Sequence, residues 1–134
     1  MTGVQTCALP ILQAHLVRGG SLFCLGDFTK ARQHWDQAIA LYRHPQRRKI
    51  KGVDFGVYGK ACMARALWAL GYRDQARTQS QEALTLAVRV SYPFSQAVVL
   101  DYGAMNAHFC RDTEETRARA VGVIEQCREL GFAY

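Results

Sequence analysis

The sequence predicts an all-α fold made of antiparallel helical hairpins, and two observations carry that prediction. Glycine or proline interrupts the chain at intervals long enough for a helix, and the apolar residues between these breaks recur every three or four positions. A helix with one apolar stripe needs neighbouring helices to cover it, so we expect the hairpins to stack as a superhelix. The interrupting residues are Gly26, Pro45, Gly52, Gly56, Gly71, Pro93 and Gly131.

The clearest helix follows Gly26. Asp27 is suited to cap its first turn, because an aspartate side chain accepts a hydrogen bond from a free backbone N–H at a helix N-terminus. The apolar residues of this helix fall at spacings of three and four, which places them on one face. They are Phe28, Ala31, Trp35, Ala38, Ile39 and Tyr42.

Two further helices repeat this arrangement. One follows Gly71, and the other follows Asp112, whose spacing to Glu115 resembles a capping box. Their small or apolar faces comprise Ala76, Ser80, Ala83, Leu84 and Ala87 in the first and Ala120, Ile124 and Cys127 in the second. Each helix is preceded by another helical segment, and Pro93 suits the first turn of the last such segment. The pattern therefore predicts three hairpins, at about residues 12–43, 57–90 and 93–131.

Helix pairs that recur along a chain are typical of a solenoid, and the first pair here resembles the tetratricopeptide repeat. The resemblance rests on small, large, glycine, aromatic and alanine positions that are filled by Gly19, Leu22, Gly26, Phe28, Ala31, Trp35 and Ala38. The second pair fills the same positions with Ala64, Leu67, Gly71, Ala76 and Ala83, whereas Arg73 and Ser80 replace the two later aromatics. The resemblance implies a scaffold of stacked hairpins.

The third pair departs further from the repeat. Ala104 and Ala107 fit, but the positions for glycine, an aromatic residue and both alanines hold Arg111, Thr113, Thr116 and Val123. The repeat is also long, since Ala31 and Ala76 lie 45 positions apart against about 34 in a standard tetratricopeptide repeat. The extra length falls in the segment between the first two hairpins.

The region from about residue 12 to residue 132 is similar to the helical tails of bacterial multidomain signalling and regulatory ATPases, of the cyclase-associated or LuxR/MalT-like type. In those proteins the repeats follow a nucleoside-triphosphatase module and sometimes accompany a nucleotide cyclase or a DNA-binding domain. The resemblance implies a cytoplasmic protein-interaction scaffold without chemistry of its own. Its expected partner is a peptide segment or a neighbouring domain of the parent protein.

The resemblance also implies where a partner binds, because repeats of this type use the groove lined by the first helix of each hairpin. In the second hairpin the register nominates Tyr58, Ala61, Arg65 and Trp68. In the third it nominates Val98, Asp101, Met105 and His108, and in the first Leu16, Gly20 and Phe23. Aromatic residues beside an arginine resemble a binding hot spot.

The composition bounds the other function classes. The chain has 134 residues, 49% of them hydrophobic and 21% charged, which is ordinary for one folded domain. Its formal charge of +6 is concentrated in a basic connector, residues 43–51, that includes Arg47, Arg48, Lys49 and Lys51. The connector leaves open an alternative function, in which it or the groove binds an effector or nucleic acid. Nucleic acid is disfavoured because no recognition motif accompanies the charge.

No residue pattern predicts catalysis, a cofactor or a metal site. The five cysteines never form a Cys-x-x-Cys pair, and the glycines near Lys49 and Lys51 lack the order of a phosphate-binding loop. His108, Cys110 and Asp112 are close in sequence but lack a fourth ligand nearby. No apolar run reaches the roughly 20 residues that a membrane-spanning helix needs. We therefore expect neither an enzyme nor a membrane protein.

The first residues stand apart from this pattern. Residues 2–11 read TGVQTCALPI, which matches at every codon the translation of a common sequencing-adapter oligonucleotide. We therefore expect residues 1–11 to be a non-native leader and residues 12–134 to be a fragment of a larger repeat domain. A fragment of a solenoid exposes stacking faces, so we also expect self-association through the exposed repeat ends.

Overall fold

The computed structural model describes residues 3–42, 49–50 and 52–132, and within them the all-α prediction is confirmed. Three helical hairpins follow one another. They are formed by α1 (Gly3–Cys24) with α2 (Phe28–Leu41), α3 (Phe55–Ala69) with α4 (Arg73–Val90), and α5 (Pro93–Phe109) with α6 (Thr113–Glu129). Neighbouring hairpins stack, since α2 packs against α3, α4 packs against α5, and α3 also contacts α5.

The start of α1 and part of the connector differ from the sequence prediction. Helix α1 begins before residue 12, where the first hairpin was expected to start, and runs without a break through residues 3–11, including Pro10. The expectation that residues 1–11 are a non-native leader stays a prediction. Two short strands precede α3, β1 (Lys49–Ile50) and β2 (Val53–Asp54), and they pair antiparallel where a plain loop was expected. The pairing was missed because a two-residue ladder is too short to leave a periodic pattern.

A single turn geometry closes each hairpin. The residue that follows the helix end takes a left-handed backbone conformation, with φ of 83° at Gly26, 90° at Gly71 and 58° at Arg111. In each turn the next backbone N–H returns to a carbonyl five residues earlier, such as Asp27 N to Leu22 O and Asp112 N to Ala107 O. Arg111 therefore aligns with the two glycines, and this alignment fixes the register of the third hairpin.

Aspartates start three of the six described helices. Asp27 caps α2 as predicted, accepting from Lys30 N at 3.1 Å. Asp112 caps α6 by accepting from Glu115 N at 3.2 Å, but the Glu115 carboxylate pairs with Arg119 instead of reaching back to complete a capping box. Asp54 is fully buried and caps α3 through Val57 N.

Asp54 also ties the three hairpins together. Tyr42, at the end of the first hairpin, donates its hydroxyl to Asp54 Oδ2 at 2.8 Å. The Asp54 backbone N–H donates to Ser95 Oγ on α5 at 2.8 Å, and Ser95 Oγ donates to Gly52 O. A buried carboxylate is stable only with such partners, so this network holds the long connector against the stack.

The core of the first hairpin is centred on Trp35, of which 1% is exposed. Its indole lies directly over Gly19, where an added Cβ would collide with the ring, and its Nε1 donates to Leu16 O at 3.2 Å. Fully buried Ala31, Ala76 and Ala83 allow the helices to approach closely, as the repeat resemblance implies.

Candidate partner-binding surface

The predicted groove residues of the second hairpin meet residues from both neighbouring hairpins. Arg65 on α3 lies between two aromatic rings, with its guanidinium carbon 4.5 Å from the ring centroid of Phe23 on α1 and 5.2 Å from that of Tyr102 on α5. One side chain therefore links the first helices of all three hairpins. Its Nε is buried and has no hydrogen-bond partner among the described residues.

Tyr58 and Tyr102 form a second group of residues at this candidate surface. Their rings meet edge to face with centroids 5.8 Å apart, beside the buried thiol of Cys62. Burial raises the pKa of the Cys62 thiol to about 12. Cys62 and burial raise the pKa of the Tyr58 phenol well above its ordinary value, and burial followed by Cys62 also raises the pKa of the Tyr102 phenol. All three groups are therefore neutral near neutral pH and act as hydrogen-bonding groups rather than charges.

Trp68 and its neighbour Phe109 form a third group at the candidate surface. Its ring stacks on that of Phe109 on α5, with centroids 4.7 Å apart and an angle of 26° between the planes. Its indole Nε1 is buried without a hydrogen-bond partner in the described part of the chain, while 40% of Phe109 is exposed. Trp68 is thus half-buried, and its outer partner Phe109 faces solvent.

We call the set that comprises Phe23, Tyr58, Arg65, Trp68, Tyr102 and Phe109 the aromatic–arginine surface. Sequence reasoning missed Tyr102 and Phe109, which directly follow the nominated Asp101 and His108. No groove position of the repeat pointed to them, because they lie about 100° around α5 from the nominated residues. The register itself agrees with the turn alignment, in which Arg111 takes the place of Gly26 and Gly71.

The other nominated residues divide into two groups. Asp101, Met105, Val98 and Gly20 are half-buried and His108 is exposed, so they border the surface. Leu16 and Ala61 are core residues, with 5% and 3% exposed, and their nomination as groove-lining residues was wrong. They face inward because α2 and α4 pack against that side of α1 and α3.

The basic connector lies almost wholly outside the described residues. Arg47, Arg48 and Lys51 belong to the ranges that the structure does not describe, and Lys49 is described only as part of β1. The alternative that assigns effector or nucleic-acid binding to this segment therefore stays a prediction.

The described residues hold no group of three or more histidine, cysteine, aspartate or glutamate side chains that could bind a metal ion. Across the same residues, no helix is long and apolar enough to span a membrane.

Comparison with known proteins gives one finding. The family model described as tetratricopeptide repeat matches residues 12–37 and 58–82. The first match covers most of the hairpin α1–α2, and the second runs from α3 into α4. No curated protein and no solved structure matches the chain. Over these two ranges the chain is therefore similar to tetratricopeptide repeats, which generally mediate protein–protein interaction.

Proposed function

We propose that this chain is a protein-interaction scaffold and that its aromatic–arginine surface binds an acidic peptide segment of a partner or of a neighbouring domain. The observation that carries the proposal is Arg65, held between Phe23 and Tyr102 with no carboxylate paired to it among the described residues. A cation held between two rings is rigid, so a partner carboxylate binds it with little loss of side-chain entropy.

The surrounding groups fit the same occupant. Trp68 and Phe109 offer a stacked aromatic pair, and Phe109 is exposed, so an apolar side chain of a peptide can pack against it. Tryptophan, tyrosine and arginine are the residue types that dominate binding hot spots. A peptide with an acidic residue flanked by an apolar one therefore matches both halves of the surface.

The resemblance to the tails of regulatory ATPases supports a place for this scaffold in a bacterial cytoplasmic signalling or transcription-regulatory protein. In that setting the stack has no catalytic role, and it acts by burying a segment of its partner. The repeat match to residues 12–37 and 58–82 supports the interaction role, and the parent protein is part of the proposal.

A peptide library tests the proposed function. We expect selection on the full 134-residue chain to enrich peptides with acidic and apolar residues together. Alanine at Arg65 or Trp68 should weaken a selected peptide about tenfold or more, because hot-spot truncations cost about 2 kcal/mol or more. Arg73→Ala is the matched control, since Arg73 is exposed on α4. Unchanged affinity in both test variants would reject the surface assignment.

The exposed repeat ends support a second contact, with another copy of this chain. Ile124 on α6 aligns with Leu84 on α4, which packs in the cluster that contains Val99 of α5, yet 49% of Ile124 is exposed. At the other end, 70% of Val17 on α1 is exposed. The two faces correspond to those that neighbouring hairpins bury inside the stack, so end-to-end association completes both.

Sedimentation over a range of concentrations measures this association. We expect a mass that rises with concentration and falls back towards the monomer in Ile124→Glu. Thr113→Glu, an exposed change at the start of α6, serves as the charge control. A monomer at every concentration, with a sharp melt at high temperature, would contradict self-association.

A further inference from the structure

A cavity of about 240 Å³ lies at the second junction, which we define as the contact of α4 with the hairpin α5–α6. Its α5 wall is formed by Gly103, Asn106 and Cys110. Because successive residues of a helix are turned by about 100°, these lie on the face of α5 opposite Asp101, Met105 and His108. The cavity is separate from the aromatic–arginine surface, because none of its lining residues belongs to that surface.

A buried arginine forms one wall. Arg119 on α6 is only 8% exposed and extends across Gly103, where an added Cβ would collide with it. Its Nε donates to Glu115 Oε1 and its Nη1 donates to Ser80 Oγ at 2.9 Å. Its Nη2 makes no hydrogen bond to any described residue. Two hydrogen bonds thus orient the guanidinium, and its remaining N–H groups are left as donors for a ligand.

An unsatisfied amide forms the opposite wall. Asn106 is 3% exposed, and its Oδ1 has no hydrogen-bond partner among the described residues. Buried polar groups in folded proteins are almost always paired, so an orphan acceptor inside a cavity indicates a missing donor. A ligand N–H group is the complement of this oxygen.

The charges around the cavity balance. Arg119 pairs with Glu115, and at the mouth Arg77 lies 3.5 Å from Asp112. Two guanidinium groups and two carboxylates line the same space, so their formal charges cancel. A ligand with net charge would upset that balance, whereas a neutral ligand with one charge of each sign matches it.

The first junction, the contact of α2 with the hairpin α3–α4, lacks this combination. By the turn alignment, Met63 replaces Gly103, Ala66 replaces Asn106 and Gln79 replaces Arg119. Gln79 also has a buried Oε1 without a partner, but the residue is half-exposed and its Nε2 lies 3.4 Å from Glu82 Oε2. The equivalent cleft thus has no buried cation and no fully buried amide.

We propose that the second-junction cavity binds a small zwitterion of amino-acid size. Its anionic group accepts hydrogen bonds from Arg119 and Arg77, and its ammonium donates to Asn106 Oδ1 and to the carboxylates of Asp112 and Glu115. The volume holds several water molecules or a molecule of on the order of ten non-hydrogen atoms, which suits such a ligand. Binding spans α4, α5 and α6, and therefore stiffens the junction between the last two hairpins.

Matched probes test the charge pattern on the full chain. Ethylamine is L-alanine without its carboxylate, and propionate is L-alanine without its ammonium, so the three probes carry only the positive charge, only the negative charge and, in L-alanine, both charges. We expect L-alanine, L-serine or L-glutamine to shift the NMR signals of the Asn106 amide and Arg119 Nε–H, with affinity in about the millimolar range. Ethylamine and propionate should bind at least about tenfold more weakly. Equal binding of the three matched probes, or no binding by any amino acid, would overturn the proposal.

Two variants separate a ligand contact from a structural role. Asn106→Ala removes an unpaired acceptor, so it should weaken zwitterion binding about tenfold while the melting temperature stays the same or rises. Gln79→Ala, at the orphan amide of the first junction, should leave binding unchanged. Equal affinity in wild type and Asn106→Ala would overturn the assignment of the amide.

Thiol protection supplies a readout that does not depend on NMR assignment. Cys110 lines the cavity and is partly exposed, whereas Cys24 is exposed on α1. A bound amino acid should slow alkylation of Cys110 by iodoacetamide, measured by peptide mass spectrometry, and leave Cys24 unaffected. Alkylation of Cys110 at the same rate with and without a saturating amino acid would count against occupancy of the cavity.

Discussion

The two junctions between hairpins use the same backbone frame with different chemistry. At the first, Trp35, Met63 and Leu67 belong to one hydrophobic core cluster. At the second, Ser80 stands at the position of Trp35, and Arg119 on α6 of the following hairpin donates a hydrogen bond to it. The turns keep the helices in register at both places. The stacking geometry of the hairpins is therefore preserved even where the side-chain pattern of the repeat is lost.

The largest expected difference between the junctions concerns Trp35. Because Trp35 is 1% exposed and its indole bonds Leu16 O, Trp35→Ala should lower the free energy of unfolding by about 3–5 kcal/mol. Ser80→Ala, at the same position of the second hairpin, should cost only about 1–2 kcal/mol through the lost bond to Arg119. Urea unfolding followed by circular dichroism measures both. Similar losses would show that the first junction is not the stronger one.

The glycines Gly19 and Gly103 distinguish the two junctions further. An added methyl at Gly19 meets the rigid, buried Trp35 ring, whereas at Gly103 it meets the flexible Arg119 side chain. Gly19→Ala should therefore cost about 1–3 kcal/mol, and Gly103→Ala less than about 1 kcal/mol after the gain in helix propensity. Thermal melts of the two variants provide the measurement. A greater loss for Gly103→Ala would mean that Arg119 is fixed as firmly as the tryptophan.

Arg111 tests whether the turns set the register. It has a φ of 58°, in the region that favours glycine, so Arg111→Gly should stabilise the chain by about 1 kcal/mol. Gly71→Ala, at the equivalent turn with a φ of 90°, should destabilise it by a similar amount. A loss of stability in Arg111→Gly would contradict the alignment of the third hairpin with the first two.

The smallest expected effect depends on pH. In the first hairpin His15 Nδ1 and His34 Nδ1 lie 2.8 Å apart, and burial followed by the nearby charges of His15 and Arg18 lowers the pKa of His34 below 6.5. The unfolded chain then binds the proton more tightly, so stability falls as the pH drops below about 6.5. Between about pH 7.5 and about pH 5.5, the melting temperature should fall further in the wild type than in His34→Gln. An identical decrease in both would reject the pair as its cause.

The sequence predicted the six helices because their apolar spacing and their glycine turns are local features. The Asp27 cap also followed from its place before the helix, and the position of Trp35 on the apolar face followed from the spacing. Arg119 and Asn106 were not predicted, because their burial depends on a neighbouring helix and on the absence of a side chain at Gly103. No local spacing records such a contact between three helices.

The same limit applied to the aromatic–arginine surface. The register located Tyr58, Arg65 and Trp68, but the Phe23–Arg65–Tyr102 arrangement appears only when three hairpins are stacked. The structure of the connector could not be predicted for another reason. The hydrogen bond between Asp54 and Ser95 that fixes its end joins residues 41 positions apart.

The central claim is that Arg65 binds a carboxylate of the partner peptide, and a double-mutant cycle tests it most directly. The cycle compares a selected peptide and its version with the acidic residue changed to the amide, each against wild type and Arg65→Ala. We expect a coupling free energy of about 1.5 kcal/mol or more. Changes that add within about 0.5 kcal/mol would contradict the claim, because they would show that the two groups do not interact.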